Sequence, residues 1–248
     1  MKRPEVELAN YKEVYDFYKT HRQGRRVARF LHGVLGVAFA PKVDYEEGAQ
    51  EQIDKLFRES RSVVLASNHI KATDPCVIAA MVQRDETLRP LLGNTFIPSK
   101  KSIQDKPIVQ HIVDGLGGVP VFREKDMKPG DNKRMLIGAA RGLVNTAVER
   151  MESGQHMALF PEGERKTDPL RVQELQNGIG LMVCRVAQIG QPTIVPMALY
   201  YGEENNQLRH PNVFIGQPSD EPFPKGRDLM QWLPDRLQDC LDQAILHR

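Results

Sequence analysis

Residues 68–74, Asn-His-Ile-Lys-Ala-Thr-Asp, place His69 and Asp74 five positions apart. In a continuous helix, five steps of about 100° would leave the two side chains roughly 140° apart, so they meet only if the segment between them is a loop. The flanking residues predict that loop. Val63, Val64, Leu65 and Ala66 read as a buried strand. Asp74-Pro75 reads as a helix N-cap followed by proline at the first helical position. A carboxylate that holds one imidazole nitrogen leaves the other free to take a proton from a hydroxyl. The competing reading of Asp74 is a plain helix cap, worth about 1 kcal/mol. Both roles fit on its two oxygens. No Gly-x-Ser-x-Gly elbow supplies a serine nucleophile.

Further chemistry-bearing segments come later in the chain. Gly117-Gly118-Val119-Pro120-Val121-Phe122-Arg123 combines two glycines, which permit close backbone approach, with an arginine at a strand end. Phe160-Pro161-Glu162-Gly163-Glu164-Arg165 repeats glycine and arginine just past a strand. Ile194-Val195-Pro196-Met197-Ala198 is an apolar strand carrying a proline. Arginines at two strand ends suit a phosphate, because the guanidinium fork makes paired, charge-assisted hydrogen bonds. Taken singly, a strand-end arginine is a solvated surface residue more often than a ligand.

The elements that must position these residues alternate. Helical patterns cover residues 47–59, 75–83, 107–114, 132–151, 178–189 and 231–246, and strand patterns cover 63–66, 119–122, 156–160, 193–200 and 213–215. Residues 88–92 form a short apolar run, and Pro120 marks an edge or a bulge. This order predicts an α/β fold, a mixed sheet covered by helices, with the site loops following strands. Residues 1–41 stand apart as a predicted N-terminal two-helix membrane-associating motif, ahead of an α/β domain over 42–248. Leu8, Tyr11, Tyr15 and Tyr18 recur at helical spacing, and Val27, Phe30, Leu31, Val34 and Ala38 share one side of a second helix. Arg22, Arg25, Arg26 and Arg29 line another face of it. Apolar residues beside an arginine stripe, with tyrosines nearby, describe an element at a lipid headgroup surface. The alternative is a helical hairpin packed on its own domain with its arginines solvated.

Composition narrows the class. The chain has 248 residues, 40% hydrophobic and 27% charged, which excludes a disordered chain and allows a sizeable core. A net charge of +2 does not by itself argue for nucleic acid. Cys76, Cys184 and Cys240 are far apart and form no Cys-x-x-Cys, so neither a zinc site nor a redox pair is expected. The longest apolar stretch, residues 30–40, is about half the ~20 residues of a spanning helix. With no signal peptide in view, the expectation is a protein held peripherally on the cytoplasmic face of a membrane.

The order Asn-His-x4-Asp, Gly-x-x-Pro-Val-x-Arg, Phe-Pro-Glu-Gly-x-Arg and Val-Pro, over residues 61–216, resembles the glycerolipid acyltransferases, especially the 1-acylglycerol-3-phosphate (lysophosphatidate) acyltransferases. The resemblance implies that His69 is the catalytic base and Asp74 its orienting partner. It places Arg123, Glu162, Gly163 and Arg165 against the glycerol phosphate of the acceptor and Pro196 on the acyl-donor side. Lys101, beside Lys100, falls where such proteins carry a phosphate-binding lysine. The implied reaction moves a fatty acyl group from acyl-CoA or acyl carrier protein to the free hydroxyl of lysophosphatidate, in phospholipid biosynthesis. The acceptor hydroxyl is itself the nucleophile, so no metal or bound cofactor is required. Glycerol 3-phosphate or another lysolipid is the alternative acceptor; hydrolysis to free fatty acid and a non-catalytic lipid-binding module are the other classes. Two residues depart from the pattern: Glu164 stands where threonine is common, and Gln176 where lysine is. Both bear on the identity of the acceptor.

Overall fold

The computed structural model describes residues 3–101, 103, 107–165, 168–176, 182, 185–186, 192–203, 210–219 and 226–247. Among the described residues seven strands form one sheet: β1 (Lys42–Tyr45), β2 (Val63–Ser67), β3 (Thr95–Lys100), β4 (Gly118–Val121), β5 (His156–Leu159), β6 (Thr193–Tyr200) and β7 (Asn212–Ile215). Their order across the sheet is β1-β7-β6-β2-β5-β3-β4. From β6 to β4 every neighbouring pair is parallel, so five strands end at the same edge. β7 is antiparallel to β6, and β1 runs with β7. The sheet is therefore mixed and mostly parallel, as the alternation of elements predicts.

Successive residues of a strand face opposite sides, and the two sides of β2 bury different helices. Val63 and Leu65 pack with Ile53 and Leu56 of α3 (Ala49–Arg58) and with Val77, Ile78 and Met81 of α4 (Asp74–Arg84). Val64 and Ala66 pack toward α1 (Tyr11–Thr20), α6 (Lys133–Glu152) and α7 (Gly226–Leu246). β2 is buried along its whole length, which explains an unbroken apolar run where a half-exposed strand would alternate. Asn132 starts α6 by accepting the backbone N–H of Met135 on its side chain.

Two strands were not legible. β1 is a short edge strand with a polar sequence, Lys-Val-Asp-Tyr. β3 carries Pro98, pairs with β5 only through Thr95 and Phe96, and from Ile97 on pairs with β4. The apolar run at 88–92 holds a turn of 3-10 helix, Arg89–Leu91. β4 is the sheet edge, which accommodates Pro120. The helix expected over 178–189 falls largely outside the described residues.

The two N-terminal helices differ in what they do with their apolar faces. On α6, Gly138 and Gly142 leave room where added Cβ atoms would lie 2.4 Å from the Tyr11 hydroxyl and 2.6 Å from Tyr15 Cδ2. α1 uses that space. The Tyr15 hydroxyl donates to Pro120 O at 3.0 Å, and the Tyr18 hydroxyl donates to Asp114 at 2.8 Å. Tyr15 and Tyr18, expected near lipid, are thus core residues and Tyr11 packs partly buried against the core, because the two glycines cut a groove that the rings of Tyr11 and Tyr15 fill. α2 (Arg25–Phe39) buries only a narrow stripe, Ala28, His32 and Gly36, and packs over α4. Leu31, expected on one side with Val27, Phe30, Val34 and Ala38, lies toward Gly115 at the end of α5 (Pro107–Gly115). Val27, Phe30, Val34 and Val37 remain outside, with Phe30 70% and Val37 82% exposed. Among the described residues no helix is long and apolar enough to cross a membrane.

Candidate active site

The site is built where the parallel strands end. At the end of β2, the Asn68 side chain accepts from Leu199 N at 2.8 Å and donates to Leu199 O at 3.0 Å. That pair of bonds ties the start of the His69 loop to the neighbouring strand β6. The loop then curls back. Asp74 Oδ2 accepts from His69 Nδ1 at 2.8 Å, Ile70 N at 2.7 Å and Lys71 N at 2.8 Å. Its other oxygen accepts from the Tyr201 hydroxyl at 2.6 Å. Asp74 is fully buried, and those bonds are what makes a buried carboxylate tolerable.

The helix-cap reading of Asp74 is corrected by these bonds. α4 begins at Asp74 with Thr73 in the N-cap position and no side-chain cap bond. The Asp74 carboxylate instead points backward into the loop, because Ile70 and Lys71 present two backbone N–H groups on one side and His69 a third donor. Oδ2 already accepts two backbone N–H groups, so a third N–H, that of the His69 Nδ1 tautomer, is the partner that suits it. The lone pair of Nε2 is then available. The ring is further fixed by stacking on Phe160, with centroids 4.3 Å apart and planes inclined by 19°.

Glu162 completes the clamp from β5, the next strand. Gly163 at φ +70° turns the chain there, a conformation that glycine adopts without a steric penalty. Glu162 Oε2 accepts the backbone N–H of His69 at 2.6 Å and Oε1 accepts that of Gln173 at 2.8 Å. The side chain is buried. Both of its oxygens serve backbone groups, so it holds the His69 loop in place. Burial, then the charge of Asp74 and the hydrogen bond to it, push the pKa of the Tyr201 hydroxyl far above its ordinary value. Tyr201 therefore stays a proton donor toward Asp74.

Cations collect at the ends of β5, β3 and β4. Arg123, just past β4, sends Nε to Asp126 Oδ2 at 3.1 Å and Nη2 to Oδ1 at 3.4 Å. Its Nη1 is buried with no hydrogen-bond partner among the described residues. Lys125 donates to Glu164 at 2.9 Å. Burial, then repulsion from Arg123 and Arg165, lowers the pKa of Lys100 from its ordinary value, with Glu164 opposing and Lys125 adding to the repulsion. Lys100, Arg123, Lys125 and Arg165 thus form one positive patch. Strands lie about 4.8 Å apart, so the patch begins one strand from His69 and ends three strands away, roughly 14 Å in all.

The structure brings His69, Asp74 and Glu162 into direct contact, and Gly163 supplies the turn between Glu162 and Arg165. Arg123 and Arg165 share the cationic patch. Lys101 lies one residue beyond the end of β3, next to Lys100, whose side chain senses both arginines. Pro196 lies inside β6, level with Ala66 and three residues short of His69, and its carbonyl accepts Gly216 N at 2.9 Å. Tyr201, Lys100 and Lys125 were missed. The usable signal was position, since each sits at or within four residues of the end of a parallel strand.

The site combines a histidine held by a buried carboxylate with a cationic patch at the ends of the adjoining strands. The Acyltransferase family model matches residues 48–200, from the start of α3 through the end of β6. This is more than half of the chain, which belongs to the acyltransferase family. A search of curated proteins finds no match. Tyr201 lies one residue beyond the matched span, and α1, α2, β1, β7 and α7 lie outside it.

Proposed function

We propose that the chain transfers a fatty acyl group from acyl-CoA or acyl carrier protein to the free hydroxyl of lysophosphatidate, giving phosphatidate. The observation that carries this reading is the pairing of two features at one sheet edge: the His69–Asp74 bond at 2.8 Å and the Lys100/Arg123/Lys125/Arg165 patch on the adjoining strands. His69 Nε2 takes the proton from the acceptor hydroxyl as its oxygen attacks the thioester carbonyl. Asp74 steadies the imidazolium that forms. When the tetrahedral intermediate collapses, the carbon–sulfur bond breaks and the thiolate takes up a proton, which returns His69 to its starting state. The acceptor's phosphate, held by the patch, selects which hydroxyl faces His69, and positioning of this kind supplies about 7–11 kcal/mol in favourable cases. Water needs no such patch, which favours transfer over hydrolysis.

The test offers purified protein an acyl-CoA or acyl carrier protein donor with lysophosphatidate, glycerol 3-phosphate and uncharged monoacylglycerol in parallel. The expected product is phosphatidate, in excess over free fatty acid. Free fatty acid alone would mean a hydrolase, and lipid binding without turnover would mean a binding module.

Residues 1–41 act in this reading as the membrane-associating segment ahead of the 42–248 catalytic unit. Support comes from α2 alone: its exposed Val27, Phe30, Val34 and Val37 lie beside Arg25, Arg26 and Arg29. An apolar row flanked by arginines suits the boundary of an anionic bilayer, and the expected location is the cytoplasmic face. Phe30→Ser with Val37→Ser should abolish flotation with anionic liposomes while leaving the melting temperature in place. Retained flotation would remove the claim.

A further inference from the structure

Glu164 stands among the cations at the end of β5. Its Oε1 accepts from Lys125 Nζ at 2.9 Å and lies 3.9 Å from Arg123 Nη1. The Lys125 hydrogen bond and charge, then Lys100 and Arg123, hold its carboxyl below the usual carboxylate range. Arg123 has a donor to spare. Asp126 takes Nε and Nη2, while Nη1 is buried and reaches no acceptor among the described residues. The Glu164 oxygen at 3.9 Å is too distant for a hydrogen bond. It offsets charge without satisfying the donor, and a phosphate oxygen could do both.

We propose that Glu164 is a specificity-determining residue. It is an internal counter-anion that competes with the acceptor's phosphate for Lys125 and Arg123, and so lowers the negative charge that the headgroup must bring. The inference rests on the reading that the acceptor's phosphate sits at these strand ends. A phosphomonoester carries about −1.5 to −2 at pH 7 and meets Glu164 repulsion in proportion. A singly charged phosphodiester meets less of it, and an uncharged headgroup none. Glu164 and Lys125 are both about half exposed, so the effect is that of a screened pair, up to about fivefold in affinity.

The experiment measures KM and kcat for lysophosphatidate, lysophosphatidylglycerol and monoacylglycerol with wild type, Glu164→Gln and Arg123→Gln, at low and high salt. Glu164→Gln should lower KM for lysophosphatidate about two- to fivefold, lower it less for lysophosphatidylglycerol and leave monoacylglycerol alone. The change should appear in KM rather than kcat and fade at high salt. Equal KM values for wild type and Glu164→Gln, or a shift shared by monoacylglycerol, would reduce the pair to an ordinary surface contact and overturn the proposal. Arg123→Gln separates the two layers. It should raise KM for the phosphate-bearing acceptors only. If it does so while Glu164→Gln is silent, the role of Glu164 falls alone. If Arg123→Gln shows no headgroup preference, the phosphate reading falls and takes the inference with it.

Discussion

The Tyr201 hydroxyl donates to Asp74 Oδ1 at 2.6 Å, on the carboxylate oxygen that His69 does not use. Residues from two adjacent strand ends therefore hold one carboxylate between them. Tyr201→Phe should lower kcat about tenfold or more, the worth of a hydrogen bond to a charged group, with little change in KM. Loss of the donor leaves Asp74 Oδ1 buried without its hydrogen-bond partner, so the melting temperature should fall as well. An unchanged kcat with a lower melting temperature would make Tyr201 a packing residue only.

Asp74→Asn should cost about 10²- to 10⁴-fold in kcat. The amide puts an NH₂ where either the loop donors or the Tyr201 hydroxyl need an acceptor, so stability should fall as well. Activity and melting temperature measured together check this. Wild-type turnover in that variant would remove the orienting role.

Glu162→Gln tests the clamp. One of the two backbone N–H groups, His69 N or Gln173 N, would lose its carboxylate partner. A charge-assisted bond of this type is worth about 1.5–3 kcal/mol. The expected loss is in kcat, since the His69 loop shifts. A rise in acceptor KM with kcat preserved would place Glu162 on the substrate instead.

Gly117→Ala should destabilise the fold by about 1–3 kcal/mol, read as a fall of several degrees in melting temperature. Gly117 sits at φ +83°, and an added Cβ would lie 2.3 Å from Thr95 O and 2.1 Å from Gln23 Nε2. The β3–β4 pairing that follows carries Lys100 and Arg123 to the same edge. A melting temperature within about 1 °C of wild type would contradict this packing argument.

His156 is buried, accepts Val63 N on Nδ1 at 3.2 Å, and has its pKa lowered by burial to about 4. The folded state resists protonation while the unfolded chain accepts a proton near 6.5. Its contribution is therefore complete above about pH 6.5 and is lost as pH falls from there toward 4, on the order of 3 kcal/mol in all. Burial lowers His32 and His21 in the same direction. Urea melts at pH 7.5 and 5 should show the drop, and His156→Gln should shrink it. An equal drop in both proteins would assign it to other groups.

Local sequence alone determined the strand–loop–helix around His69, the turn at Gly163 and the arginines past β4 and β5, because each is written in a few adjacent residues with a strong conformational preference. It also identified α2's apolar side, since a 3.6-residue period survives whatever the helix packs against. Three-dimensional packing decided the rest. The tyrosines of α1 carry the same periodicity whether they face lipid or Gly138 and Gly142, and only the groove on α6 settles which. Asp74-Pro75 reads as a cap until the backbone N–H groups of Ile70 and Lys71 are seen to face the carboxylate. Tyr201 and Lys125 reach the site through strand order, which is a property of the sheet: 127 residues separate Tyr201 from Asp74, and no local pattern spans that distance. The histidine and the aspartate were legible as a pair; the set of donors that surrounds the buried aspartate was not.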